Sequence, residues 1–165
     1  MMRAAAAAVL AAFVLIAAPA CGPSVDLAKG LEVTDVLSGY YDAGLKEGWN
    51  YLKPTLSFRL KSKVTQKIGP VQLTVAFWKT GEDGEWDSVV LQGVHAAGLA
   101  AGASTESLLA RANIGFRLEG ARDTFFAHSL FQDVTAKVFA TQSGKIYRLG
   151  EFKLDHVMIP HLNAN

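Results

Sequence analysis

One cysteine, Cys21, stands in a chain of 165 residues. A lone thiol cannot close an internal disulfide, so an exported domain of this chain must stand on its packed core. Charge of a dominant sign is also missing, with 16 Lys plus Arg against 15 Asp plus Glu. A net charge this small gives no support to nucleic-acid binding through a basic face, or to long-range steering of a strongly charged partner. The one long apolar run, residues 4–18, falls short of the ~20 residues of a membrane-spanning helix. Chemistry-bearing motifs are absent as well. There is no G-x-S-x-G elbow for a serine nucleophile and no phosphate-cradling G-x-x-x-x-G-K-S/T. His95, His128, His156 and His161 are scattered, without H-x-x-x-H spacing or a cysteine partner, so no zinc site, cofactor or catalytic constellation is expected. Glu82, Asp83 and Glu85 cluster in one loop, but a Ca²⁺ site needs more oxygen ligands at defined offsets, and they read as a solvated turn.

What is present begins with an export signal. Arg3 supplies a positive n-region, the apolar run follows, and small residues lead through Ala18-Pro19-Ala20 to Cys21. Residues 1–20 therefore read as a signal peptide, with a retained membrane anchor as the alternative. The segment before Cys21 resembles the bacterial lipobox, with Ala18 where the usual form has Leu. That resemblance implies a diacylated Cys21 as the mature N-terminus and attachment to a membrane through lipid. Ala18-Pro19-Ala20 also satisfies the A-x-A rule of ordinary signal peptidase, so a freely secreted product is the other reading. Residue 22 is Gly rather than Asp, which favours the outer membrane if the envelope has two. Removing the signal takes away Arg3, and the mature chain is left with fifteen basic and fifteen acidic residues.

Residues 21–30 form a lipid-attachment cysteine and short tether, and residues 31–160 one domain. Period-two alternation dominates it. Leu56, Phe58 and Leu60 alternate with polar residues, as do Val71, Leu73, Val75 and Phe77, and then Val134, Ala136 and Val138. Residues 146–154 give a fourth strand, with a bulge expected near Gly150. Residues 31–41, 85–94 and 107–116 are weaker strands. Turns fall at Gly69-Pro70, 81–84, 98–104 and Ser143-Gly144, the last a two-residue hairpin. Only residues 123–131 read as a short helix, with Asp123 as cap and Phe126 and Leu130 on one face. About seven short strands and one short helix predict an all-β fold, an immunoglobulin-like antiparallel β-sandwich, with a small barrel as runner-up. Its core is expected to hold Phe58, Leu73, Val75, Phe77 and Val138.

One hairpin has a readable register. Pairing Phe77 with Asp87, Val75 with Val89 and Leu73 with Leu91 buries one face, whereas a one-residue slip breaks the burial. Asp87 is the weak point, a charge on the nominally buried side. The same register sets Trp78 against Trp86 on the outer face, and these two tryptophans are the candidate binding residues. Tyr40, Tyr41, Trp49 and Tyr51 form a second aromatic group around the first connection. Exposed aromatics stack on sugar rings or anchor protein partners.

Residues 56–61 (Leu-Ser-Phe-Arg-Leu-Lys), 68–77 (Ile-Gly-Pro-Val-Gln-Leu-Thr-Val-Ala-Phe) and 99–104 (Leu-Ala-Ala-Gly-Ala-Ser) also carry a family resemblance. They resemble the FxLyD-type immunoglobulin-like domains of bacterial lipoproteins, with Ala101 where the family's turn has Pro. The resemblance implies a sandwich fold and lipid anchoring, and points to no particular activity. The expected function is a lipid-anchored envelope domain that binds or scaffolds another macromolecule without catalysis. Its partner would be an envelope protein or a glycan rather than nucleic acid. The alternatives are a carbohydrate-binding module and a hydrolase.

Overall fold

The computed structural model describes residues 25–120 and 122–159. The expected signal peptide, Cys21, His161 and the side chain of Asp123 lie outside the described residues and side chains. The chain starts with one turn of helix, α1 (Leu27–Gly30), capped by the Asp26 side chain, which accepts from the Ala28 N–H. Nine strands follow among the described residues: β1 (Leu31–Lys46), β2 (Trp49–Ser62), β3 (Val71–Lys79), β4 (Asp87–Val94), β5 (Leu108–Arg111), β6 (Phe116–Leu118), β7 (Val134–Gln142), β8 (Lys145–Lys153) and β9 (Met158–Ile159).

The strands form the two-sheet sandwich expected from the alternation. One sheet runs β5-β2-β1-β9, with β6 also paired to β2, and the other runs β4-β3-β7-β8. Every pair is antiparallel except β1 with β9. Phe58, Leu73, Val75, Phe77 and Val138 are all fully buried between the sheets, together with Leu56 and Leu60. Each of them sits at the inward phase of a strand, where alternate side chains point to one face.

The β3–β4 register is the expected one, with Phe77 opposite Asp87, Val75 opposite Val89 and Leu73 opposite Leu91. Ser143 and Gly144 close the β7–β8 hairpin at φ 50° and 76°, both left-handed, as a type I′ turn requires. The β7–β8 ladder shifts register where Val138 faces Gly150 and Phe139 faces Arg148, which is the bulge expected near Gly150.

Two elements differ from the sequence expectation. Residues 107–116 are not one strand but β5 and β6, separated by a turn. Asp87 explains the break: its carboxylate accepts from the backbone N–H groups of Asn113 and Ile114. The charge that looked misplaced in the hairpin thus holds the neighbouring turn. Gly115 completes the break, because a Cβ there would overlap the Leu52 carbonyl oxygen. The second difference is the short helix, a 3₁₀ helix over Arg122–Ala127 followed by turns. The bonds His128 N–H to Phe125 O and Phe131 N–H to His128 O have three-residue spacing, so Phe126 and Leu130 do not share a face. Leu130 is 69% exposed, while Phe125 is buried.

The strand pair β1–β2 sets the shape that matters below. It is longer than its sequence pattern suggested, running out to Lys46 and Trp49 around a two-residue turn at Glu47 and Gly48, with φ 51° and 83°. The fourteen residues of β2 at ~3.3 Å each, matched by a β1 that bulges twice, set that tip about 40 Å from the α1 end.

Candidate functional surfaces

The outer face of the β1–β2 hairpin alternates rings and cations. Tyr40, Leu52 and Leu56 point inward and are fully buried, so Tyr41, Trp49, Tyr51 and Lys53 take the outward phase. Strands β5 and β6 lie along the far edge of β2 and set Arg111 opposite Thr55 and Arg117 opposite Tyr51. The Arg117 guanidinium lies 4.4 Å from the centre of the Trp49 ring and 5.9 Å from that of Tyr51. Lys46 Nζ is 5.9 Å from Tyr51, and the Arg111 guanidinium is 3.5 Å from Tyr41. Lys53 Nζ donates to the Asn113 carbonyl at 2.6 Å. Cation–ring contacts at such half-exposed sites contribute about 0.5–1 kcal/mol each. Among the described residues, Lys46, Lys53 and Arg117 have no carboxylate within ion-pair distance. Glu47 and Glu119 are exposed near the tip, and Asp42 accepts from the Gly44 N–H at 2.8 Å.

The two candidate tryptophans do not meet. Trp78 keeps the expected outward phase, and Lys137 Nζ, from the residue opposite Ala76, sits 3.9 Å from its ring centre. Trp86 turns the other way. Its N–H donates to the Phe77 carbonyl at 2.8 Å, so Trp86 and Asp87 together face Phe77, two residues against one. That count is a β-bulge, and it swings the indole inward. There it packs on the core, 4.9 Å from Phe116, with Lys79 Nζ 4.5 Å above it. The expected cross-strand pair is therefore corrected: Trp78 belongs to the outer face of its sheet and Trp86 to the rim of the core. The same outer face exposes Val90 and Ile146 and holds an apolar hollow of about 260 Å³ lined by Thr74, Phe139, Thr141 and Ile146.

A third cluster lies at the start of β7. Asp133 accepts from Lys153 Nζ and is within 2.6 Å of His156 Nε2, and these bonds hold its carboxyl below the usual carboxylate range, Lys153 first and His156 second. His156 stacks on Phe126 at 5.4 Å and 7°, and Phe131 meets its ring edge-on. Tyr40 is fully buried beside Phe126, Phe131 and Phe116, and its hydroxyl makes no hydrogen bond of good geometry. Burial pushes its pKa up, and the nearby Asp133 charge adds to this, opposed only by the Val134 backbone. A phenol held neutral is a poor nucleophile, and the cluster ties β7, β8 and residues 155–159 together.

The other candidate chemistry stays dispersed. His95 is exposed, and the His128 ring accepts from the Leu130 N–H. Glu82, Asp83 and Glu85 are exposed, with Glu82 paired to Lys79 at 3.5 Å. Among the described residues no group of three His, Cys, Asp or Glu is placed to hold a metal ion. Against known proteins, no family model and no curated protein matches the chain.

Proposed function

We propose that this chain is an envelope domain, tethered by lipid on Cys21 after removal of residues 1–20, that binds another macromolecule through the outer face of the β1–β2 hairpin. The observation that carries the reading is the Trp49–Arg117–Tyr51–Lys46 cluster, rings and cations held against one another at the tip of a hairpin about 40 Å long. Aromatic and arginine side chains are the commonest anchors of binding surfaces. The tether enters at α1, the opposite end of β1, so the face is carried away from the attachment point. The lipobox resemblance of residues 18–21 and the FxLyD-type resemblance of residues 56–104 support the anchored reading, with the outer membrane favoured in a two-membrane envelope.

In the full-length lipoprotein expressed in cells, a photo-reactive residue in place of Tyr51 should cross-link an envelope component, while one in place of Gln72 on the other sheet should not. Equal cross-linking at both positions, or none at Tyr51, removes the hairpin face from the function. Lipid attachment is checked separately: mass spectrometry of the membrane fraction should show an acylated Cys21 peptide. An unmodified Cys21 peptide in the culture fluid would leave a secreted domain instead.

A further inference from the structure

Resting on that reading of the hairpin face, we infer that its ligand is an acidic polysaccharide, an extended glycan bearing carboxylate or comparable anionic groups. Three features of the face point to this chemistry. The first is how the rings are covered. Arg111 lies 3.5 Å over Tyr41 and Arg117 4.4 Å over Trp49, so guanidinium groups occupy the ring faces that a neutral sugar would stack on. At Trp49 the outward group is the exposed Arg117 side chain, and a guanidinium is the fork that matches a carboxylate.

Tyr51 is the second feature. Its nearest cations, Lys46 and Arg117, both stand 5.9 Å from the ring centre, further off than on the other two rings. A half-exposed ring whose cations stand further off suits a pyranose, whose C–H face packs on an aromatic while its acidic group reaches the charge beside it. The third feature is extent. Trp49, Tyr51 and Lys53 occupy alternate positions of β2, about 13 Å of strand, with Lys46 across from Trp49. A row of rings and cations along one strand fits a linear polyanion better than a single small anion. The reach of β1 also lifts this row off the bilayer that the tether would enter, which argues against that bilayer's own headgroups as the ligand.

The test uses the full-length lipoprotein in detergent, titrated with polygalacturonate, uncharged dextran of similar length, poly-glutamate and phosphatidylglycerol vesicles. Polygalacturonate should bind, and the affinity should fall by at least about tenfold in Arg117→Ala/Lys46→Ala, the effect of losing a charge-assisted contact. Arg117→Lys should fall between, because an ammonium keeps the charge and loses the fork. Binding should weaken as salt rises from ~0.05 to ~0.5 M. Both variants carry changes only at exposed cations, and an unchanged circular dichroism spectrum and melting temperature confirm that folding is not the cause.

Dextran binding as tightly as polygalacturonate, poly-glutamate binding more tightly, or vesicles binding in preference to all three would each overturn the inference. So would polygalacturonate binding that the double variant leaves intact. If no probe binds while Tyr51 still cross-links an envelope protein in cells, the ligand class is wrong and the binding face stands. If no probe binds and Tyr51 cross-links nothing, both fall together.

Discussion

The Tyr40 hydroxyl is a polar atom among phenylalanine rings with no hydrogen bond of good geometry, and removing it should cost nothing. A buried, unpaired hydroxyl carries a desolvation penalty of about 1–3 kcal/mol, so Tyr40→Phe should melt at the same temperature as wild type or higher. The variant should also flatten the alkaline limb. In the unfolded chain the phenol ionises near its ordinary value of 10.0, while in the fold burial and then Asp133 hold it neutral. The unfolded state then binds fewer protons, so stability falls as pH rises above about 10 in wild type and not through this group in Tyr40→Phe. A lower melting temperature for Tyr40→Phe at neutral pH would mean that the hydroxyl has a partner.

Asp133 works in the opposite direction. Lys153 and then His156 lower its folded pKa, so its contribution is complete above the unfolded value, near 3.9, and is lost as pH falls through the folded one. Melting curves from pH 6 to pH 2 should show Asp133→Asn less stable than wild type at pH 6, with the two converging in acid. Curves that stay parallel would show that the two bonds contribute nothing to folding. In the core, Phe77→Ala should cost about 3–5 kcal/mol, the range for a truncated buried aromatic. A shift of only a degree or two would contradict its burial.

At the scale of elements, the two tryptophans separate what was legible from what was not. Trp86→Ala removes a ring packed on Phe116 and the core, whereas Trp78→Ala removes one on the outer face, covered by Lys137. Chemical denaturation should therefore find Trp86→Ala the more destabilised, and equal losses would restore the cross-strand pair. The register of that hairpin was readable because Leu73, Val75 and Phe77 match Leu91 and Val89 in phase over several residues. The bulge at Trp86 was not, since one backbone bond from Trp86 to Phe77 decides it. The turn at Ser143-Gly144 and the bulge opposite Val138 were readable because glycine marks them directly. The outer half of the β1–β2 hairpin was hidden by the register shift between Asp42 and Leu45, by Pro54, and by Glu47-Gly48, which lacks the common Asn-Gly turn signature. A signal was nonetheless there, because Trp49, Tyr51 and Lys53 alternate with Asn50 and Leu52. The count of charges over the whole chain hid this face for the same reason, since it averages Lys46, Lys53 and Arg117 with acids placed elsewhere.

For the whole molecule the decisive quantity is the length of β1. If the chain is held at residue 21, the hairpin that starts at Leu31 carries Trp49 about 40 Å from that tether end of the sandwich when the sandwich stands upright. A domain lying flat would bring Trp49 to the lipid instead. The chain has three tryptophans, so Trp78→Phe/Trp86→Phe leaves Trp49 as the single reporter, each ring replaced by another aromatic. Reconstituted into vesicles as the lipoprotein, this variant should be quenched by acrylamide in the aqueous phase and untouched by brominated acyl chains. The carrier chain itself provides the control, because a tryptophan placed at position 24, next to the attachment site, should respond to the brominated lipid. Quenching of Trp49 by bromine would show that the hairpin face rests on the membrane, and an anionic bilayer would then replace the glycan as its partner.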